Sequence, residues 1–375
     1  MKKTIAVLEG DGIGPEIVAE SIKVLKAVEK KYAHDFDLVY APFGAEAFFT
    51  EGSPFPEKTV EICDRADVII KGPVGLAVEK MNQIPQEMRP EVGAILPLRK
   101  RYDTFANYRP VRLPKKLASF SPLKEGLIGE GLDILMIREL VGGIYFGEKT
   151  EGKTTGMLYA EDDCKYTDEQ VRRVAVVAFE EARRLRTRLT NIHKANVLAT
   201  SRFWRDIVED VGRSYEDVEY RSMLVDNAAF QLVKNPTQFN GVVLLENMQG
   251  DILTDQAGGV LGSLGLMPSA CIGFRKGYVG KRLSNRRAGF RGQRQRQDTE
   301  HQGIRRPCGG YVVVYPLKIR LEPLISGGLM SDPDSNCRVK LCVPCGQFCV
   351  LRRTRLYSSP WAGRHLPTDR AVQWL

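Results

Sequence analysis

Apolar and polar positions follow two alternating periods along the first 273 residues. "KTIAVLEG" is a short apolar run. "DGIGPEIVAESIKVLKAVEKKY" follows it and repeats Ile17, Val18, Ile22, Val24, Leu25 and Val28 at helical spacing behind Pro15. A strand, a glycine loop and a helix are expected. The rhythm returns with "DLVYAPFG" as a strand, "PEKTVEICDRA" as a helix and "DVIIKGPVG" as a strand entering a second glycine loop. "LDILMIREL" and "GGIYFGEK" read as further strands, and "TDEQVRRVAVVAFEEARRLRTRL" as a long amphipathic helix opened by a Thr/Asp cap. "RLTNIHKANVLATSRFWRDIVEDV" and "VEYRSMLVDNAAFQLVKNP" repeat strand then helix, and "GVVLLENMQGDILTDQAGGVLGSLG" closes the patterned region. Alternating β and α segments predict a layered α/β fold. No apolar run approaches the roughly 20 residues of a membrane span. Glu9 interrupts the run in "MKKTIAVLEG", so it reads as a buried strand and not a secretory signal, and a cytoplasmic protein is expected.

Charge divides the chain where the pattern fades. The formal net charge is +9, yet residues 1–274 hold 35 Lys+Arg against 40 Asp+Glu, while residues 275–375 hold 20 against 6. Cysteine follows the same division: Cys63, Cys164 and Cys271 precede it, and Cys308, Cys337, Cys342, Cys345 and Cys349 follow it. Sparse cysteine in the longer part fits a reducing compartment. Two compositions are joined in one chain.

The candidate chemistry lies in the first part. Arg99 in "PLRK", Arg109 in "NYRP" and Arg138 in "IREL" stand in short polar settings, as do Asp226 in "VDNAA" and Asp251 and Asp255 in "GDILTD". Guanidinium forks grip carboxylates, and clustered carboxylates suit a hard divalent cation. Asp251 and Asp255 are four apart, which puts them on one helical face. Each signal alone reads first as a surface ion pair or a solvated helix end.

Their combination resembles a known family. "GDGIGPE", "RPEVGAILPLRK", "FANYRP", "IRELVGGIYFG", "HKANVLATSRFWR", "VDNAAFQLVKNPTQF" and "ENMQGDILTDQAGGVLGSLGLMPSA" occur in the order and spacing of the 3-isopropylmalate dehydrogenases, within the wider decarboxylating β-hydroxyacid dehydrogenases. The resemblance covers residues 1 to about 273. It implies a two-domain α/β fold that is not a Rossmann fold, and "GDGIGP" indeed lacks the G-x-G-x-x-G spacing. One domain would comprise residues 1–99 with 251–273, and the other, dimer-forming, residues 100–250.

The resemblance also implies roles. Arg99, Arg109 and Arg138 would hold the two malate carboxylates; Asp226, Asp251 and Asp255 would hold Mg or Mn; and Tyr145 and Lys194 would be the acid–base pair. Gly72, Pro73, Val74 and Gly75 of "GPVG", with Glu91, would line the nicotinamide half of NAD. Lys194 and Asp226 would reach the site from a neighbouring subunit, so a homodimer is implied. The implied reaction passes a hydride to NAD and releases the β-carboxylate as carbon dioxide, converting 3-isopropylmalate to 2-oxoisocaproate for leucine biosynthesis. Isocitrate, homoisocitrate and tartrate enzymes share the Arg and Asp set. Ala94, Ile95, Leu96 and Val197 are apolar where specificity would be set, which favours a branched aliphatic group over a third carboxylate. A tartrate- or homoisocitrate-type dehydrogenase is the alternative. His193 stands where the family has an acid before the lysine, and Gly241 follows Asn240 where a strand-forming pair is usual.

From Phe274 onward the family's "EPxHGSAPDIAGK" adenosine loop is missing from the sequence. The basic run "GKRLSNRRAGFRGQRQRQ" and the C-x4-C-x2-C-x3-C spacing from Cys337 to Cys349 stand in its place. Three readings compete for residues 274–375: a tail that binds nucleic acid non-specifically through phosphate contacts, a metal knuckle, and a shifted reading frame. A frame shift accounts for the charge, the cysteines and the lost motif together, and is preferred. It leaves the cofactor half of the site incomplete and activity in doubt.

Overall fold

The computed structural model describes residues 2–267 and 269–273. The run "GGYVVVYPLKIRL", which reads as a strand, the Cys337–Cys349 spacing and the basic run all lie outside the described residues, as does the poor order that the lost motif leads one to expect of residues 274–375.

The first elements are β1 (Lys2–Leu8), α1 (Gly14–Tyr32), β2 (Asp35–Tyr40), α2 (Ala45–Glu51), α3 (Glu57–Arg65) and β3 (Val68–Lys71). They build a parallel sheet of order β2-β1-β3. Alternation along β1 divides its side chains between two cores. Ile5 and Val7 pack with Ile17, Val18, Ile22 and Leu25 of α1, while Ala6 and Leu8 face Cys63, Leu98 and Tyr102. Residues 5–8 of β1 and all of β3 are thereby buried on both faces, as their apolar runs demand, whereas β2 is largely exposed.

The chain continues through α4 (Val78–Met81), a π-helical turn at Glu91–Ile95 and α5 (Leu96–Tyr102). After these come β4 (Ala106–Pro114), α6 (Glu125–Ile128), β5 (Gly131–Glu139) and a hairpin of β6 (Lys149–Thr154) and β7 (Met157–Asp162). The remaining elements are α7 (Asp168–Leu185), β8 (Leu189–His193), α8 (Ala199–Gly212), β9 (Tyr220–Leu224), α9 (Val225–Lys234), β10 (Gly241–Leu245), α10 (Asn247–Leu261) and β11 (Ala270–Ile272). The second sheet has the order β11-β4-β5-β10-β8-β9, parallel from β5 to β9 and antiparallel between β11, β4 and β5. Val174, Phe179, Trp204 and Val208 of α7 and α8 cover one face, and Ala228, Leu232, Leu253 and Ala257 of α9 and α10 cover the other. Residues 251–273 supply most of α10, which packs on this sheet, and the strand β11, while Cys271 also joins the apolar cluster of the first. No helix among the described residues is long and apolar enough to cross a membrane.

The expected α/β alternation is present, and Thr167 caps α7 in a reciprocal box with Gln170. "GGIYFGEK" is not a strand. Gly143 has φ 73°, Phe146 N–H donates to its carbonyl at 3.1 Å, and the segment turns back against the Tyr166 ring. Among the glycines that leave no room for a Cβ, Gly10 and Gly241 bear on the glycine loops and on β10. A Cβ on Gly10 would lie 2.0 Å from the Pro73 carbonyl oxygen, so the two glycine loops can touch only because it has none. Gly241 begins β10 at φ 127°, with Thr187 Oγ1 2.7 Å from where a Cβ would stand, which explains the departure from a strand-forming residue.

Candidate active site

The parallel strands β5, β10, β8 and β9 end side by side, and the residues following each carry the candidate chemistry. Ligands in such sheets gather beyond the carboxyl ends of the strands. Arg138 is the penultimate residue of β5, with Leu245 beside it on β10 and Asn107 opposite it on β4. Arg109 lies two residues further along β4, Asp251 and Asp255 lie on α10 beyond β10, and Tyr145 lies on the turn after β5. Lys194 follows β8, and Asp226 stands in the first turn of α9 beyond β9.

Two groups form. In the first, Arg138 Nη1 donates to Asp251 Oδ1, Tyr145 Oη donates to Asp251 Oδ2 at 3.0 Å, and Arg109 Nη1 lies 3.9 Å from Asp255 Oδ1. Both arginines are nearly fully buried, their side chains 1% and 7% exposed, whereas the Asp251 and Asp255 side chains are 40% and 57% exposed. Burial, partly offset by Asp251, pulls the Arg138 pKa down to about 10, and burial lowers that of Arg109. Arg99 adds like charge to both, and its own guanidinium makes no hydrogen bond or ion pair among the described residues. Three converging cations against two partly wet carboxylates leave positive charge uncompensated, which suits a dianion. Burial, then Asp251, raises the Tyr145 pKa, so its phenol stays protonated and able to donate.

In the second group, Lys194 Nζ donates to Asp226 Oδ1 at 2.7 Å, and this bond lowers the Asp226 pKa. No hydrogen bond or ion pair joins the two groups among the described residues of one chain. His193 is buried. Its Nδ1 accepts from Ala195 N–H at 3.2 Å, so in the neutral ring favoured by burial Nε2–H donates to Ser222 Oγ at 2.6 Å. The imidazole thereby ties the turn carrying Lys194 to β9.

The glycine loops meet separately at the ends of β1 and β3. Buried Asp11 accepts from Ala45 N–H and Glu46 N–H at 2.8 Å each and from Gly75 N–H at 2.7 Å, while its own N–H donates to the Pro73 carbonyl at 2.8 Å. It thus caps α2 and fixes Gly72–Gly75 with one carboxylate. A Cβ on Gly75 would meet only Glu91 Oε1, at 3.9 Å, leaving open space beside that carboxylate. Ala94 is fully buried in the core with Leu98 and Cys63, so it does not line a specificity pocket. The π-helical turn faces it inward, leaving Val92 and, in part, Ile95 and Leu96 toward solvent. Val197 is exposed.

Asp11 and Asn247 escaped the sequence reading. Asp11 stands between two glycines, where only the turn drew notice, and Asn247 stands four residues before Asp251, on its helical face.

The family model for isocitrate/isopropylmalate dehydrogenase matches residues 4–281. The 3-isopropylmalate dehydrogenase of Carboxydothermus hydrogenoformans is 47% identical over 274 residues, which cover 73% of this chain and 72% of that protein. Among solved structures, a Thermus thermophilus protein aligns with TM-score 0.61 at 32% identity, over 72% of this chain and 51%, about half, of that one. The isocitrate dehydrogenase of Methylococcus capsulatus aligns with TM-score 0.62 at 28% identity, over 72% of this chain and 74% of its own.

Proposed function

Because the chain belongs to the isocitrate/isopropylmalate dehydrogenase family, we propose that it oxidatively decarboxylates 3-isopropylmalate to 2-oxoisocaproate in leucine biosynthesis, with NAD and Mg or Mn. The observation that carries this reading is the pair of buried guanidiniums, Arg109 and Arg138, facing two carboxylates one helical turn apart. Asp251 and Asp255 offer the hard oxygen donors a divalent cation needs and are reached by solvent. They are only two. No group of three metal-ligating side chains occurs among the described residues of one chain.

Asp226 of a second copy supplies the third carboxylate, and Lys194 travels with it. Apolar side chains exposed beside these residues, Phe230 and Val233 on α9 and Ile252 on α10, support burial against that copy in a homodimer. The sparse cysteines of the described residues, Cys63, Cys164 and Cys271, suit a reducing cytoplasm.

A bound divalent cation supplies Lewis-acid polarisation, and NAD, beside Gly72–Gly75 and Glu91, supplies the hydride acceptor. Arg99, Arg109 and Arg138 bind and orient the two carboxylates of the substrate. Lys194 from the neighbouring copy takes the hydroxyl proton as the C2 hydride leaves. Tyr145, held protonated, returns a proton to the carbon that loses carbon dioxide. Ile95, Leu96 and Val197 of the neighbouring copy offer apolar contact to an isopropyl group, and burying a third carboxylate there unpaired would cost more than a few methyl groups return. Turnover tests the reading. With NAD in large excess and Mn2+, 3-isopropylmalate is expected to yield NADH and carbon dioxide in equal amounts, faster than isocitrate or tartrate. Faster turnover of isocitrate would contradict the assignment.

A further inference from the structure

Arg138 is held from three sides by one stretch of α10. Asn247 Oδ1 accepts from Arg138 Nε at 3.1 Å and from Nη2 at 2.8 Å, and Asp251 accepts from Nη1. Between them, Gly250 lies under the aliphatic stem: a Cβ there would be 2.7 Å from Arg138 Cγ and 3.1 Å from Cδ. Residues 247, 250 and 251 are related by three and four, so they share one face of the helix. Glycine inside a helix costs roughly 1 kcal/mol relative to alanine, and here it lets the arginine lie flat across α10.

The amide of Asn247 has one possible orientation. Its oxygen must face the guanidinium, which only donates, and its Nδ2 donates to the Gly142 carbonyl at 2.9 Å, which only accepts. Its backbone N–H donates to Tyr166 Oη at 3.0 Å, and Asn247 is fully buried, so neither the side chain nor the helix end can rotate away. Gly142 opens the turn that carries Tyr145. One side chain therefore sets the aim of the buried arginine and ties down the loop of the phenol.

We propose that Asn247 and Gly250 are positioning residues for substrate binding, fixing Arg138 so that a single edge of its guanidinium faces the carboxylate it binds. The inference rests on the functional reading above and deepens it. Asn247 occupies Nε and one side of Nη2, and Asp251 one side of Nη1, which leaves the second hydrogens of Nη1 and Nη2 as the donors for a carboxylate. Preorganised donors lose little on binding, whereas an arginine released from this cradle would have to be ordered by its ligand.

A binding cycle tests this. The full chain is titrated calorimetrically with 3-isopropylmalate in Mn2+ as wild type, Asn247→Ala, Gly250→Ala, Arg138→Met and the two doubles containing Arg138→Met. Asn247→Ala and Gly250→Ala are each expected to weaken binding roughly tenfold or more. Neither should weaken it further once residue 138 is methionine, because both act through the guanidinium. Alanine at 250 raises the helix propensity of α10, so Gly250→Ala decides alone should Asn247→Ala fail to fold. Undiminished binding in the single variants, or equal weakening with and without Arg138, overturns the inference. A wild type that binds no 3-isopropylmalate overturns the functional reading and the inference with it.

Discussion

Lys194 and Asp226 are joined to each other at 2.7 Å, and neither bonds to the cluster of Arg109, Arg138, Asp251 and Asp255 in the same chain. In the proposed reading each set is half of a site. If a second copy completes it, two defective chains should repair one another. Asp226→Ala and Asp251→Asn proteins, each unable to bind Mn2+ at the site, are expected on mixing to recover roughly a quarter of the wild-type sites, because half the dimers formed are mixed and each has one intact site. Titration of Mn2+ into the refolded mixture reads this directly. No recovery, or full binding by either variant alone, would show that the carboxylates do not meet across subunits.

Asp11 is expected to matter more for the glycine loops than its position between two glycines suggests. Its carboxylate accepts three backbone N–H bonds while 2% exposed. Asp11→Ala leaves those donors buried and should destabilise the protein by about 3 kcal/mol, a typical size for a lost bond set to a charged acceptor. It should also expose Gly75 N–H to faster hydrogen exchange. Denaturant unfolding together with amide exchange at Gly75 measures both, and unchanged values of either would remove Asp11 from this role.

Glu139 makes stability depend on pH. It is fully buried, accepts from Val141 and Gly142 N–H at 2.9 Å each, and burial pushes its pKa up to about 7, with Glu246 raising it and Arg173 opposing. The folded chain therefore keeps a proton that the unfolded chain gives up near pH 4.5. The stabilisation is complete below that value and is lost as pH rises through about 7. The change is on the order of 3 kcal/mol for a shift of this size. Urea unfolding at pH 5 and pH 8 should show the wild type losing more stability than Glu139→Gln over that interval. Equal losses would mean that Glu139 is not the group responsible.

Much of this was legible in the sequence because apolar period and glycine placement act locally. The strand of "KTIAVLEG", the Thr167 cap and the shared face of Asp251 and Asp255 each need only a few neighbouring residues to be read. What was missed depends on contacts between distant segments. The apolar run around Tyr145 looked extended, but Gly143 and the Tyr166 ring bend it into a turn. Ala94 looked like pocket lining until the π-helical turn placed it inward. Asn247 bonds to Arg138 across 109 positions of sequence, a distance at which periodicity carries no information.

The central claim is that the paired arginines and carboxylates bind a dianion with a branched apolar arm, together with a divalent cation. Calorimetric titration of the full chain with 3-isopropylmalate, isocitrate and tartrate, with and without Mn2+, measures it most directly. The account predicts one 3-isopropylmalate per chain in the presence of Mn2+, weaker binding of the other two acids, and loss of binding in Arg109→Ala. Equal or tighter binding of isocitrate, or unchanged binding in Arg109→Ala, would contradict it.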